Sequence, residues 1–122
     1  MIRFWKSKPA PDSEGFYDTG IAATSVIAGQ MTVVKIGGKI AIVTRVKGRL
    51  VAFSNICPHA AADLSKGRLF DGQVKCLDHG YTFDLQTGRA TWPEGEGCRL
   101  MRFTAKEEGG MVKVRLSAPN FG

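Results

Sequence analysis

The stretch MTVVKIGGKIAIVTRVKGRLVAFS, residues 31–54, decides the fold. It contains three runs rich in β-branched residues, Met31–Ile36, Ile40–Val46 and Leu50–Ser54, and the glycine-containing triplets GGK and KGR separate them. Runs of five to seven residues rich in Val and Ile are typical of strands, and short glycine turns between them are typical of hairpins. The stretch therefore predicts a three-stranded antiparallel meander.

The same pattern continues downstream. Further short strands are predicted at residues 68–70, 73–76, 81–85, 89–92, 99–105 and 111–116. They lie in pairs on both sides of three turns, of which Asp71-Gly72 gives the strongest turn signal. About nine short strands, with no helix longer than a turn, predict an all-β sandwich or barrel. The first 18 residues show no periodicity and are predicted to be an irregular lead-in.

Composition places the chain among ordinary globular domains. It has 122 residues, 43% hydrophobic and 23% charged, which predicts a single domain with its own core. No apolar run approaches the roughly 20 residues needed to cross a bilayer, and none follows the first basic residues as in a secretory signal. An odd number of cysteines, three, favours reduced thiols. We therefore expect a cytoplasmic protein that does not associate with membranes.

The net charge of +6 is unevenly distributed along the chain. Residues 35–70 carry a net charge of +6, whereas residues 71–98 carry −3. The lysines of the first segment alternate with apolar residues, as on the solvent face of strands, and no motif interleaves them with aromatic residues. Nucleic acid is therefore not an expected partner.

The chemistry-bearing residues fall into two loops between predicted strands. The first is Cys57-Pro58-His59 and the second is Cys76-Leu77-Asp78-His79, with 16 residues between them; they include both histidines of the chain. Two thiolates and two imidazoles are a metal-binding set, suited to zinc or to a Rieske [2Fe–2S] cluster. Zinc motifs usually pair like with like, whereas here each loop supplies one Cys and one His. The pattern therefore favours the cluster, with zinc as the alternative.

At these residues the chain resembles the Rieske-type ferredoxins, and the similarity spans about residues 19–116. Beyond the two loops, the matching positions are Ala60, Ala62, Leu64, Gly67, Gly80, Phe83, Asp84, Thr87 and Gly88.

The resemblance implies a fold and a set of ligands. A base of antiparallel sheets (about 19–55 and 93–116) would carry a small cluster-binding lobe (about 56–92) within the single domain 1–122. One [2Fe–2S] cluster would be held by Cys57 and Cys76 on its inner iron and by His59 and His79 on its outer iron. A third loop, bearing Pro93, would cover it.

Four departures from the pattern of cytochrome-complex Rieske proteins point to the low-potential branch. Those proteins carry a disulfide between the ligand loops, and Ala62 and Asp78 stand in its places here. They also place a serine and a tyrosine after the second loop, where this chain has Tyr81 and Phe83. Hydroxyl hydrogen bonds to the cluster raise its potential, so their loss is expected to lower it.

The resemblance implies an electron carrier rather than an enzyme. It would be a monomer that makes transient contacts, passing single electrons from a reductase to a terminal oxygenase or another oxidoreductase. The alternative is a small Rieske subunit of a nitrite-reductase-like or other multisubunit oxidoreductase. A catalytic oxygenase is excluded because its mononuclear iron needs two further histidines. The third cysteine, Cys98, is expected to be a small core residue that points inward together with Leu100.

Overall fold

The computed structural model describes residues 3–119, which fold into eleven strands and two short 3₁₀ helices. The all-β class predicted from sequence is confirmed. The strands are β1 Arg3–Lys6, β2 Phe16–Ala22, β3 Thr32–Ile36, β4 Lys39–Val46, β5 Arg49–Ser54, β6 Arg68–Phe70, β7 Gln73–Lys75, β8 Thr82–Asp84, β9 Ala90–Trp92, β10 Arg102–Glu108 and β11 Met111–Arg115. The 3₁₀ helices are Ala23–Ser25 and Leu64–Lys66. Within these residues, no helix has the length and apolar character to span a membrane.

Seven strands form one sheet, in the order β1-β3-β4-β5-β10-β11-β2. All its pairs are antiparallel except β1 with β3, which is parallel. The two edge strands approach each other, since the Lys8 N–H, just after β1, donates to the carbonyl of Asp18 in β2 at 3.0 Å. The sheet is therefore a nearly closed barrel, which protects its edges from pairing with other chains.

A second sheet is inserted between β5 and β10. It contains β6-β7-β8-β9 in sequence order, all antiparallel, and its strands are only three residues long. Sheets with strands this short need an apolar face packed on something larger to be stable. Here the buried Val74 and Phe83 supply that face.

The central strands of the barrel are buried on both faces, which explains their nearly continuous apolar runs. On β4, Ala41 and Val43 join a core cluster with Val34, Phe103 and Val114 of the other barrel strands. The intervening Ile42 joins a second cluster, with members from both the barrel and the four-stranded sheet: Val33, Phe53, Cys57, Leu64, Val74, Cys76, Phe83, Leu85 and Leu100 among them. One face of β4 thus fills the barrel, and the other anchors the small sheet.

The prediction of an irregular lead-in over residues 1–18 was wrong at residues 3–6 and 16–18, whereas residues 7–15 contain only turns, bends and coil, as predicted. Residues 3–6 form β1, which pairs with β3, and β2 begins at Phe16. The strand β1 is four residues long and its partner lies far along the chain, so periodicity could not reveal it. On β2, a register shift opposite Met111 and Lys113 breaks the alternation of buried side chains. Residues 1, 2 and 120–122 lie outside the described residues.

One later strand also begins elsewhere than predicted. The run 99–105 was expected to be extended throughout, but β10 starts at Arg102. The Leu100 N–H instead donates to the Gly88 carbonyl at 2.8 Å, and Arg99 forms an isolated bridge with Arg89. This segment ties the small sheet to the barrel before the chain re-enters the barrel sheet.

Candidate metal centre

The first cysteine–histidine loop is closed at its base by backbone hydrogen bonds. The Cys57 N–H donates to the Ala62 carbonyl and the Ala61 N–H to the Cys57 carbonyl, both at 2.8 Å. Below them, the Leu64 N–H donates to the Asn55 carbonyl at 2.6 Å. The loop is therefore a tight turn rising from β5, and not a flexible excursion.

The second loop is closed in the same way between β7 and β8. The Cys76 N–H donates to the Tyr81 carbonyl at 2.7 Å. At the turn, His79 has a φ of 65° and Gly80 a φ of 72°, in the left-handed region that few side chains adopt without cost. This turn brings His79 to the outside of the loop, whereas Cys76 stays inside.

The two loops bring the four predicted ligands together as an inner and an outer pair. The thiols of Cys57 and Cys76 are both buried, at 1% exposure. The imidazoles of His59 and His79 are exposed, and their ring centroids lie 5.2 Å apart with the planes at 88°. Within residues 3–119, no group of three or more His, Cys, Asp or Glu side chains is arranged so that it could hold a single metal ion.

The buried Cys76 thiol carries a high cost of ionisation in the metal-free chain. Burial raises the pKa of Cys76 to about 11, and a hydrogen bond with the Cys57 thiol adds to the effect. A thiolate here requires a compensating cation, because charge is costly in an apolar surrounding. Iron would supply that compensation and would displace the thiol protons on binding.

The donor set fits a Rieske cluster. Such a cluster needs two thiolates on one iron and two imidazoles on the other, and the chain offers a buried thiol pair behind an exposed imidazole pair. All three cysteines are free.

Sequence reasoning missed the role of Tyr81. The structure stacks its ring on His59, with centroids 3.7 Å apart and planes within 10°, and its hydroxyl donates to Glu96 Oε1 at 2.8 Å. That hydrogen bond is the main cause that raises the pKa of Tyr81. The signal available in the sequence was an aromatic residue directly after the His79-Gly80 turn.

The structure also places three other residues that the sequence analysis singled out near the site. Phe83 is fully buried in the second core cluster, so it presents an apolar ring where cytochrome-complex proteins carry a hydroxyl. Cys98 is only half-buried and packs against the same cluster at its edge. Pro93 lies directly after β9, in the loop that also carries Glu96.

Comparison with known families decides between zinc and a cluster. The family model described as Rieske [2Fe-2S] domain matches residues 19–105. The chain belongs to the Rieske family. As a Rieske domain it carries a Rieske-type [2Fe–2S] cluster, and the zinc alternative is not supported.

Curated relatives of this Rieske domain include ferredoxin components. The ferredoxin component of the alkene monooxygenase system of Xanthobacter autotrophicus is 33% identical over 87 residues, 70% of each chain. The ferredoxin component of the naphthalene 1,2-dioxygenase system of Pseudomonas aeruginosa is 32% identical over 98 residues, 80% of this chain and 92% of that one. Apoptosis-inducing factor 3 of Mus musculus is 35% identical over 89 residues, 73% of this chain but only 14% of that protein.

Solved structures show the same fold. A chain from the complex of reduced oxygenase and oxidized ferredoxin in carbazole 1,9a-dioxygenase superposes with a TM-score of 0.74 at 25% identity, covering 88% of this chain and 98% of that one. The ferredoxin of carbazole 1,9a-dioxygenase from Nocardioides aromaticivorans gives a TM-score of 0.69 at 23% identity, covering 80% and 93%. This Rieske domain is an electron-transfer protein.

Proposed function

We propose that this Rieske domain is a ferredoxin that receives single electrons from a reductase and delivers them to a terminal oxygenase. The observation that carries the proposal is the pair of exposed imidazoles, His59 and His79, in front of two buried thiols. An electron carrier needs no substrate pocket, but it needs a shielded cofactor with one edge near solvent. The ferredoxin components among its relatives support a carrier rather than a permanent subunit.

We assign the cluster ligands to the four residues of the two loops. Cys57 and Cys76 would hold the inner iron, and His59 and His79 the outer iron. When bound, the cluster supplies a one-electron redox couple. The buried side of the site excludes water from the thiolates, and the imidazoles bring the redox centre to the surface.

The surface around the imidazoles is apolar enough to exclude water at a contact. Leu77 of the second loop is 70% exposed, and Ile56 of the first loop and Trp92 of β9 are also exposed. Apolar side chains grouped at an exposed edge are typical of interaction sites. We infer that the acceptor contacts this edge and brings its own redox centre close to the imidazoles.

A basic groove adjoins the same edge. It has a volume of about 510 Å³, is lined by Ile56, Pro58 and Met101, and is flanked by Lys39 and Arg99. Among the described residues that line it there is no carboxylate. The groove suits an acidic segment of an acceptor, and such charge complementarity mainly accelerates association.

We expect the protein to work in the cytoplasm as a monomer. The three free thiols are consistent with a reducing compartment. Weak redox encounters bury little surface, and a carrier must release each partner before meeting the next. Size-exclusion chromatography with light scattering should therefore give the mass of one chain.

Stopped-flow mixing tests the proposed direction of electron transfer. The cluster-loaded chain, reduced by one electron, would be mixed anaerobically with the oxidised oxygenase component of carbazole 1,9a-dioxygenase or of the naphthalene 1,2-dioxygenase system. We expect the chain to be reoxidised at a rate that saturates with oxygenase concentration. A chain that stays reduced with both oxygenases would contradict an oxygenase of this class as the acceptor.

A further inference from the structure

The His59 imidazole is covered on one face by an aromatic ring from the other ligand loop. The Tyr81 ring lies nearly parallel to it at 3.7 Å between centroids, the separation of rings in contact. His59 belongs to the loop after β5 and Tyr81 to the loop after β7. The stack therefore joins the two loops at their exposed side, where Cys57 and Cys76 do not reach.

The Tyr81 ring is itself held from two directions. Its hydroxyl donates to Glu96 Oε1 at 2.8 Å, across 15 residues, and Glu96 lies on the third loop after β9. The Trp92 ring stands edge-on to Tyr81, with centroids 6.3 Å apart and planes at 79°. All three loops around the site are thus connected through one side chain.

This arrangement restricts the remaining freedom of a histidine ligand. A ligated imidazole is held at one ring nitrogen and at Cβ, and its plane still tilts through small changes of the side-chain torsions unless neighbours prevent it. A ring at contact distance prevents it, because tilting would drive the imidazole edge into the ring face. A phenol that donates to a carboxylate also has an electron-rich face, which attracts an imidazole that gives electron density to a metal.

We propose that Tyr81, held by Glu96, is a positioning residue that fixes the plane of the His59 imidazole. The inference rests on the proposed function in that it takes His59 as a ligand. With the plane fixed, one edge of His59 faces the acceptor, and little reorganisation accompanies each transfer of an electron. Orientation imposed by a neighbour on a ligating histidine is a recognised way of tuning a metal site.

Pulsed EPR of the reduced protein tests the proposal through the two histidine nitrogens that couple to the electron spin. The chain has only two histidines, so ¹⁵N-histidine labelling reports on His59 and His79 alone. We expect Tyr81→Leu to shift or broaden one of the two couplings and to leave the other unchanged, at full iron and sulfide content. Electron self-exchange should slow several-fold in the same variant.

Smaller changes separate the stack from the hydrogen bond. Tyr81→Phe and Glu96→Ala break the same bond, so each should broaden the same coupling slightly, and the double variant should show no further change. Glu96→Gln keeps an acceptor for the hydroxyl and should restore the wild-type coupling. Glu94→Ala removes an exposed carboxylate from the same loop and should match the wild type.

Two outcomes would overturn the proposal. Both couplings could remain unchanged in Tyr81→Leu, or that variant could fail to load the cluster while Tyr81→Phe and Glu96→Ala match the wild type. In the second case Tyr81 would only pack the lobe. A wild-type protein without two histidine couplings would instead contradict the ligand assignment, so the two failures are distinguishable.

Discussion

Ile56 and Asp63 form an isolated antiparallel bridge at the base of the loop that carries Cys57 and His59. The Asp63 carboxylate also accepts hydrogen bonds from the Ser65 N–H at 3.0 Å and the Ser65 hydroxyl at 2.7 Å. Partial burial opposes ionisation, but these bonds hold the pKa of Asp63 below its usual value of 3.8. The charged form of Asp63 therefore fastens the loop to the following 3₁₀ helix.

The depressed pKa predicts how stability depends on pH. A carboxylate with a lowered folded-state pKa stabilises the fold above 3.8, and this contribution is lost as the pH falls through the folded-state value. We expect the free energy of unfolding of the wild type to exceed that of Asp63→Asn by about 1 kcal/mol at pH 7, and the difference to shrink toward pH 3. Urea unfolding followed by tryptophan fluorescence would measure it. A difference that is the same at both pH values would contradict this role for the charge.

Gly67 is required because there is no room for a side chain at this position, and not because of its backbone conformation. Its φ of −86° suits any residue, but a Cβ there would lie 2.0 Å from the Lys75 carbonyl oxygen, next to Cys76. We expect Gly67→Ala to cost about 2 kcal/mol of unfolding free energy, because the backbone must move, and to lower the iron content. Gly97→Ala is the matched control, since a Cβ at Gly97 meets no atom within 4 Å. Equal stability of the two variants would show that the backbone at Gly67 and the backbone at Lys75 move apart without cost.

Sequence reasoning recovered the features that local patterns encode. The meander of β3 to β5 follows from β-branched runs and glycine turns, and the four candidate ligands follow from motif spacing. The strand β1 and the closure of the barrel depend on contacts between distant segments, which no local period reports. The Tyr81 hydrogen bond to Glu96 is missed for the same reason, because only folding brings the second and third loops together.

The position of Lys39 predicts a local electrostatic effect on electron delivery. Lys39 begins β4 and Lys47 directly follows its last residue, about 25 Å away at the usual rise of a strand. Only Lys39 flanks the groove beside Pro58. We expect Lys39→Glu to slow reduction of the oxygenase several-fold at low ionic strength, with the rates converging at high salt. Lys47→Glu, the matched reversal of charge, should have little effect. Stopped-flow rates that fall equally for both would indicate only a general effect of net charge.

The buried ring of Phe83 predicts a low reduction potential. Phe83 lies in the same core cluster as Cys57 and Cys76 and offers no hydroxyl, and the Tyr81 hydroxyl is directed to Glu96. We expect protein-film voltammetry to give a value near the negative end of the range of roughly −150 to +300 mV for Rieske centres. Phe83→Tyr should raise it, whereas Phe103→Tyr, in the core cluster inside the barrel, should not. A wild-type potential well above zero would contradict the argument.

The most direct measurement is the number of histidine nitrogens coupled to the reduced cluster in wild-type protein labelled with ¹⁵N-histidine. Because His59 and His79 are the only histidines of the chain, each coupled nitrogen identifies a ligand. We predict two strongly coupled nitrogens, in a protein that contains two irons and two sulfides and accepts one electron. A single coupled nitrogen, or none, would show that the cluster is not held by both imidazoles and would contradict the assignment.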